Sequence, residues 1–450
     1  MERHQVLRQI DGTGGDKLRE IGLRVREYKQ FFEAWDELHH ALADDKDGYV
    51  RDGAIQYLRQ HITRLSDDQS FAGLISSIYS YDSCQSFLVK FSQLLFPWTT
   101  PYSPDLVMFR SRFKHGGRGI VLTGSDSQAP FLSTAIPMLR KLGCTLPIEV
   151  LYLGDTDLSA KYRAELEAYG GVRALDMSLM INDEGWKLAG WAAKPFAILY
   201  SSFREILFID SDSLFFRNPE LLFNDDGYIT SGALFFRDRL ILPESKKLWL
   251  QQILPGPISE KVKNSRPWTG HSGHMQESGV IVVDKWRHFI ALLTVARMNG
   301  PDRDGNKNEG RVGVYDMVYG DKETFWLGWE LAGDLDYAFH QGDAGTMECG
   351  QNWTQQWCDW RHPEWNGGIL LQNAARTGQS SGLDWRHPAA ERGQNWTKQW
   401  DWRHPEWIGG ILQQNAARTG HSSWVGRKST GGIPDGLAAK RDQNWTKQWG

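Results

Sequence analysis

The chain has 450 residues, enough for two or three domains, and its 40% apolar and 24% charged residues are typical of a globular protein. A net charge of −4, with no long run of lysine or arginine, argues against a protein that binds nucleic acid. We therefore expect no nucleic-acid partner.

Residues 1–115 form a predicted helical, stem-like region. Apolar side chains within Ile21–Leu42 recur at close to helical spacing, and Pro97 and Pro101 end the pattern. The residues from Met1 lack the apolar core of a signal peptide, and no stretch reaches the roughly 20 apolar residues that span a membrane. From the sequence as given we expect no membrane anchor.

Residues 116–350 alternate short apolar runs with amphipathic stretches, which predicts an α/β domain with a largely parallel central sheet. The predicted strands are Gly119–Thr123, Pro147–Leu153, Glu205–Ile209, Ser231–Phe236 and Gly279–Val283. The predicted helices are Pro130–Leu142, Ser159–Tyr169, Trp191–Tyr200 and a segment that begins near Trp286.

The last hundred residues are repetitive. The segment NGGILLQNAARTG at 366–378 returns as IGGILQQNAARTG at 408–420, and QNWTQQW at 351–357 returns twice with one change. The spacing is too irregular for a solenoid or propeller. We expect residues 351–381 to close the catalytic domain, and residues 382–450 to be a duplicated, poorly ordered tail or an extension of the reading frame.

The strongest chemical signal is Asp210-Ser211-Asp212, which directly follows a buried strand. At the carboxyl edge of an α/β sheet two such acids can converge on one cation, and hard oxygen ligands suit Mg²⁺ or Mn²⁺. A cation there would neutralise the charge of a departing diphosphate. The alternative is an acidic turn without function.

Three further segments carry polar groups that fit a sugar-nucleotide site. Lys194 could stabilise a diphosphate as a point charge, or could be a solvated helix residue. Gln276, Glu277 and Ser278 precede a buried strand and could bind sugar hydroxyls. Asp321 and Glu323 open a helix, where they could be functional or could simply complement the helix dipole.

These segments, from GRGIVLTG at 117–124 to GDKETFWLGWEL at 320–331, together resemble the fungal Golgi α-1,3-mannosyltransferase family over about 230 residues in consistent order. The resemblance implies a GT-A fold with a Rossmann-like mixed sheet flanked by helices. It also implies GDP-mannose as donor, dependence on Mn²⁺ (or Mg²⁺), retention of the α configuration, and a mannose-ended glycan of a glycoprotein as acceptor. Members are type II Golgi membrane proteins that act on the lumenal side.

Matching the family's motifs to this sequence predicts the role of each site residue. The metal ligands are Asp210 and Asp212, and the acceptor contacts are Gln276, Glu277 and Ser278. The donor contacts are Thr123, Gly124, Lys194, Asp210, Ser211 and Asp212, and the catalytic residues are Asp321, Glu277 and Lys194.

Two departures from the family pattern leave alternatives open. We expect no signal anchor like the family's in the sequence as given. Trp357 stands where a metal-binding histidine is expected, so that His362 or His340 would have to replace it. The Asp210-Ser211-Asp212 motif indicates a donor with a diphosphate but does not identify the sugar, so a transferase for another sugar nucleotide is one alternative. A catalytically inactive carbohydrate-binding protein is the other.

Overall fold

The computed structural model describes residues 3–41, 60, 72–240, 243–343, 369–372 and 411–414. The strands in these ranges are β1 (Arg118–Thr123), β2 (Ile148–Tyr152), β3 (Val172–Asp176), β4 (Glu205–Ile209), β5 (Ser213–Phe215), β6 (Ala233–Arg237), β7 (Gln276–Asp284), β8 (Ala338–Asp343), β9 (Ile369–Gln372) and β10 (Ile411–Gln414).

The α-helices in the same ranges are α1 (Arg3–Val6), α2 (Gly14–Ala41), α3 (Ala72–Leu95), α4 (Leu106–Ser111), α5 (Ala129–Lys141), α6 (Ala160–Glu167), α7 (Ala193–Tyr200), α8 (Asp226–Ser231), α9 (Lys247–Ile253), α10 (Glu260–Lys263), α11 (Arg266–Thr269), α12 (Phe289–Asn299), α13 (Val314–Met317) and α14 (Thr324–Ala332). No helix of the described ranges is long and apolar enough to cross a membrane.

Seven strands form the central sheet, in the order β3-β2-β1-β4-β7-β6-β8. Strands β3, β2, β1 and β4 are parallel, β7 runs antiparallel to both of its neighbours, and β8 is parallel to β6. Six strands therefore share one direction and β7 is reversed. The predicted α/β class with a largely parallel, mixed sheet is confirmed.

Strand β7 begins earlier than predicted, because Gln276, Glu277 and Ser278 belong to it instead of preceding it. All nine of its residues are buried. Since β7 is reversed, its first residues lie beside the carboxyl end of β4, with Ile209 paired to Val280. The reversal therefore brings the polar start of β7 to the acidic turn after β4.

The sheet separates two apolar cores, as expected for strands that are buried on both faces. One core contains α7, α12 and α14 together with the side chains of Ile206, Phe208 and Ile281. The other contains α5 and the alternate side chains of the same strands, such as Leu207 and Val280. The helices thus hold the strand ends that carry the polar motifs in fixed positions.

The amino-terminal helices belong to the first of these cores. Phe32 of α2 lies with its ring 5.8 Å from that of Phe289, and Tyr28 contacts Phe96 at 5.7 Å. The guanidinium of Arg26 donates to the carbonyl of Glu330 at 2.7 Å. In the described part of residues 1–115 the predicted helices are present, and they pack against the core of the α/β region.

Two short strands of the repeats form a second sheet with β5, in the order β5-β10-β9. Strand β10 runs antiparallel to β5, and β9 is parallel to β10 with Ile411 opposite Ile369. Strand β9 belongs to the predicted closing segment 351–381, and β10 belongs to the later copy within 382–450. The rest of both predicted segments lies outside the described residues.

Close packing of α14 on α12 leads to a stability prediction. A Cβ atom at Gly328 would lie 2.4 Å from Cγ2 of Val295, which is too close for a real contact. We expect Gly328→Ala to lower the free energy of unfolding by about 1–3 kcal/mol, as overpacked cores do, although alanine favours helix. Chemical denaturation measures the change.

The matched background for this variant is Val295→Ala, which removes the opposing methyl groups. In that background Gly328→Ala should cost clearly less, with a coupling free energy of about 1 kcal/mol or more in a double-mutant cycle. Additive effects of the two substitutions would contradict the steric explanation.

Candidate active site

The polar motifs meet at the carboxyl edge of the parallel strands. Asp210 follows β4, and its backbone N–H donates to the carbonyl of Gly279 in β7 at 2.8 Å. The N–H of Ser213 donates to the carbonyl of Asp210 at 2.9 Å and closes a tight turn through Ser211 and Asp212. The turn between β4 and β5 is therefore fixed to the start of β7.

Lys194 lies at the centre of the site. Its ammonium is 2.7 Å from Oδ2 of Asp210 and 3.3 Å from Oδ2 of Asp321, and it donates to Oγ of Ser278 at 3.2 Å. Ser278 in turn donates to Oδ2 of Asp321 at 2.7 Å. We call these four residues the Lys194 network. They come from α7, β4, β7 and the loop before α14.

A second ion-pair network lies beside the first. Lys322 contacts Oε2 of Glu277, and its ammonium is 3.4 Å from Oδ2 of Asp238. Glu277 also accepts from the backbone N–H groups of Ser278 and Gly279, both at 3.0 Å. Glu277 is therefore fully engaged at the start of β7, and only about 4% of it is exposed.

Glu323 and Gln276 tie the start of β7 to the first turn of α14. Oε1 of Glu323 accepts from the N–H groups of Met275 and Gln276 at 2.8 and 3.3 Å. Oε1 of Gln276 accepts from the N–H of Trp326 at 3.0 Å. Gln276 has no exposed surface, and its contact with the acceptor stays a prediction.

The ionisation of these groups reflects their burial and their charged neighbours. Burial opposes the charge of Lys194, but Asp210 and Asp321 outweigh it and raise its pKa above the ordinary value. Burial also raises the pKa of Asp210, although Lys194 works against this change. For Glu277, burial raises the pKa, but Lys322, Lys194 and the backbone N–H of Gly279 together outweigh burial and lower the pKa.

The two networks carry more negative than positive charge. Lys194 and Lys322 lie among the carboxyl groups of Asp210, Asp238, Glu277 and Asp321, all buried or partly buried. A divalent cation would offset this surplus, and carboxylate oxygens are the ligands that Mg²⁺ and Mn²⁺ prefer. The donor set at Asp210 and Asp212 therefore fits such an ion.

In the part of the chain that the structure describes, no group of three histidine, cysteine, aspartate or glutamate side chains is arranged as a metal site. His340 lies in β8, and its Nδ1 is 2.9 Å from Oδ2 of Asp225. His362 and Trp357 lie outside the described residues. Two carboxylates still suffice where substrate phosphates complete the coordination.

Two of the remaining predicted donor contacts, Thr123 and Gly124, lie on the β1 side of β4. Thr123 ends β1, and the N–H of Gly124 donates to the carbonyl of Leu151 at 2.9 Å. Ser211 is buried in the turn after β4.

The sequence interpretation missed Lys322, Asp238 and His274. Of these three residues, Lys322 was the easiest to predict from the sequence, because it directly follows Asp321.

Comparison with known proteins gives a family match. The family model described as "Mannosyltransferase putative" matches residues 117–359, which is more than half of the chain. This range contains both networks and the turn after β4.

Individual relatives match about half of the chain. It is 30% identical to "Putative alpha-1,3-mannosyltransferase MNN14" of Candida albicans, over 55% of this chain and 38% of that protein. It is 26% identical to "Alpha-1,3-mannosyltransferase MNT2" of Saccharomyces cerevisiae, over 52% of this chain and 45% of that protein. The chain thus spans less than half of the length of either relative.

Among solved structures, the galactosyltransferase LgtC in complex with donor and acceptor sugar analogues aligns with a TM-score of 0.31. The identity is 15%, over 51% of this chain and 75% of that one.

The buried carboxyl of Glu323 leads to a pH prediction. Burial raises its pKa from 4.5 to about 7, against the hydrogen bonds from Trp326, Met275 and Gln276. The folded state therefore binds a proton that the unfolded state has released. The resulting stability is complete below pH 4.5 and is lost as the pH rises through about 7, by roughly 3 kcal/mol.

The measurement is the free energy of unfolding from pH 4.5 to 8 for the wild type and Glu323→Gln. We expect the wild type to lose stability relative to the variant as the pH rises. Glu184→Gln, which changes an exposed carboxyl, is the control and should follow the wild type. A difference between wild type and Glu323→Gln that does not vary with pH would contradict the raised pKa.

Proposed function

The chain belongs to the mannosyltransferase family whose model matches residues 117–359, and we propose that it transfers mannose from GDP-mannose to a mannose-ended glycan. The observation that carries the proposal is the Lys194 network at the turn with Asp210 and Asp212, where a cation and a diphosphate can be held together. The names of the relatives support an α-1,3 linkage, which is part of the proposal.

Asp210 and Asp212 would hold Mn²⁺ or Mg²⁺ together with the diphosphate of the donor. When bound, such an ion supplies neutralisation of the charge that develops on the leaving diphosphate. Lys194 would add a second positive charge at the same place. Because its pKa is raised by Asp210 and Asp321, it carries that charge throughout the physiological pH range.

The reaction exchanges one bond at C1 of mannose. The acceptor hydroxyl oxygen forms a bond to C1 while the bond from C1 to the β-phosphate oxygen breaks, and the hydroxyl proton leaves with GDP. Attack on the face that the diphosphate leaves would retain the α configuration, as the family resemblance implies. The chain's part is to orient both substrates and to exclude water.

Asp321 and Glu277 serve this reaction best as positioning residues. Only 3% of Asp321 and 4% of Glu277 is exposed, and each is engaged by a lysine and by a donor from β7. Direct contact of either carboxylate with the sugar would require these bonds to break. We propose that Asp321 fixes the ammonium of Lys194 and that Glu277 fixes that of Lys322.

We propose the Golgi lumen as the place of action, with a glycoprotein glycan as acceptor and association with the membrane. Both follow from the family resemblance, in which members are anchored in the Golgi membrane. Mn²⁺ is the expected ion.

The metal site leads to an activity prediction. Asp210→Asn and Asp212→Asn should each reduce mannose transfer at least about 100-fold, since metal stabilisation of the leaving group contributes several kcal/mol. The measurement is the rate of release of GDP from GDP-mannose with an α-mannoside acceptor and Mn²⁺. Asp226→Asn, which changes an exposed acid of α8, should leave the rate nearly unchanged. Full activity of both site variants after chelation would exclude the metal mechanism.

The donor leads to a binding prediction. GDP with Mn²⁺ should raise the melting temperature of the full chain, since a ligand of the native state stabilises it. UDP with Mn²⁺ should raise it much less. Equal shifts with the two nucleotides would exclude GDP-mannose as the specific donor and would favour the alternative of another sugar nucleotide.

A further inference from the structure

Two exposed aromatic side chains lie next to the buried Lys194 network. Trp191 is 61% exposed and Tyr319 is 66% exposed, whereas only 7% of Lys194 and 3% of Asp321 is accessible. Trp191 belongs to the short helical turn Gly190–Ala192 that leads into α7, three residues before Lys194. Tyr319 comes two residues before Asp321. Each aromatic residue is therefore close in sequence to one charged member of the Lys194 network: Trp191 to Lys194 and Tyr319 to Asp321.

Trp191 also lies against Gly320, the residue that follows Tyr319. A Cβ atom built on Gly320 would lie 3.6 Å from Cε3 of Trp191, so the indole ring lies against this glycine. Gly320 has φ = 63°, a conformation that favours glycine and that turns the chain between Tyr319 and Asp321. Trp191 therefore borders the peptide that joins Tyr319 to the network.

The ring of Tyr319 contacts the ring of His274. The two rings contact edge to face, with centroids 5.9 Å apart and an angle of 85° between the planes. His274 directly precedes Met275, whose backbone is bound by Glu323. Burial and the nearby Lys246 and Lys322 lower the pKa of His274, so its ring is neutral at physiological pH. The aromatic side chains thus extend from α7 to the start of β7.

We propose that Trp191 and Tyr319 form an acceptor platform, an aromatic surface on which a mannose ring of the acceptor glycan packs. A pyranose ring carries C–H groups on its faces and hydroxyl groups at its rim. Aromatic rings bury the faces, and neighbouring polar groups bind the rim, as in most small-molecule sites. The inference rests on the proposed mannosyl transfer and assigns its acceptor contacts to residues outside the predicted Gln276–Ser278 set.

The order of the strands favours the acceptor over the guanine base of the donor. Two of the predicted donor contacts, Thr123 and Gly124, lie at the end of β1 on one side of β4, whereas β7 lies on the other side. Tyr319 and Gly320 lead into Asp321, which binds Ser278 of β7. With the diphosphate at the turn after β4, the donor extends toward β1 and the acceptor platform lies toward β7.

The test uses the full chain and α-linked mannobiose as the probe. We expect Trp191→Ala and Tyr319→Ala each to raise the KM for mannobiose about tenfold or more at saturating GDP-mannose, with kcat changed far less, since exposed aromatic anchors dominate such contacts. Calorimetric titration of mannobiose into the chain loaded with GDP and Mn²⁺ should show a matching loss of affinity. Trp191→Phe should recover most of it.

Controls separate this inference from the proposed function. Tyr79→Ala removes a tyrosine of similar exposure, 62%, from α3 and should change neither KM nor binding. The rise in melting temperature with GDP and Mn²⁺ should be the same in Trp191→Ala as in the wild type.

Three results would overturn the acceptor platform. The first is an unchanged KM and affinity for mannobiose in the alanine variants, and the second is no binding of mannobiose by the wild type. The third is loss of the rise in melting temperature with GDP in Trp191→Ala, which would assign the Trp191 ring to the guanine base of the donor. A wild type without mannosyl transfer would contradict the proposed function. The mannobiose titration would still decide the platform.

Discussion

The interaction on which the site depends is the sharing of the buried Lys194 ammonium by Asp210 and Asp321. It joins α7, the end of β4 and the loop before α14, and Ser278 adds β7 through hydrogen bonds to both the ammonium and Asp321. Removing one partner of a buried ion pair costs about 3–5 kcal/mol, because the other charge is left without compensation. Each of the four segments is therefore held in place by the other three.

This arrangement requires a reversed strand. In a purely parallel sheet, the residues that open a strand lie at the edge opposite to the residues that follow its neighbour. Because β7 is antiparallel to β4, Gln276–Gly279 lie beside Asp210. Their backbone and side-chain groups can therefore accept and donate hydrogen bonds at the edge of the sheet where β4 ends. The same reversal brings Glu277 to Lys322 and the N–H groups of Met275 and Gln276 to Glu323.

The sequence predicted those parts of the fold whose pattern is local. Glu205–Ile209 contains a continuous apolar run from Ile206 that is followed by Asp210, and its predicted bounds agree with β4. Strand β3 was missed because Val172–Asp176 is short and only its first residue is buried. The start of β7 was misplaced because Gln276–Ser278 are polar.

Those polar residues are buried in a strand because their partners come from the distant segment Asp321–Trp326, which no local pattern reveals. For the same reason the sequence could not show that Glu277 and Asp321 each face a lysine. A buried acid and a catalytic acid look alike in sequence, and only the position of the cation distinguishes them. The proposed acceptor platform then consists of exposed side chains that this pairing does not engage, Trp191 and Tyr319.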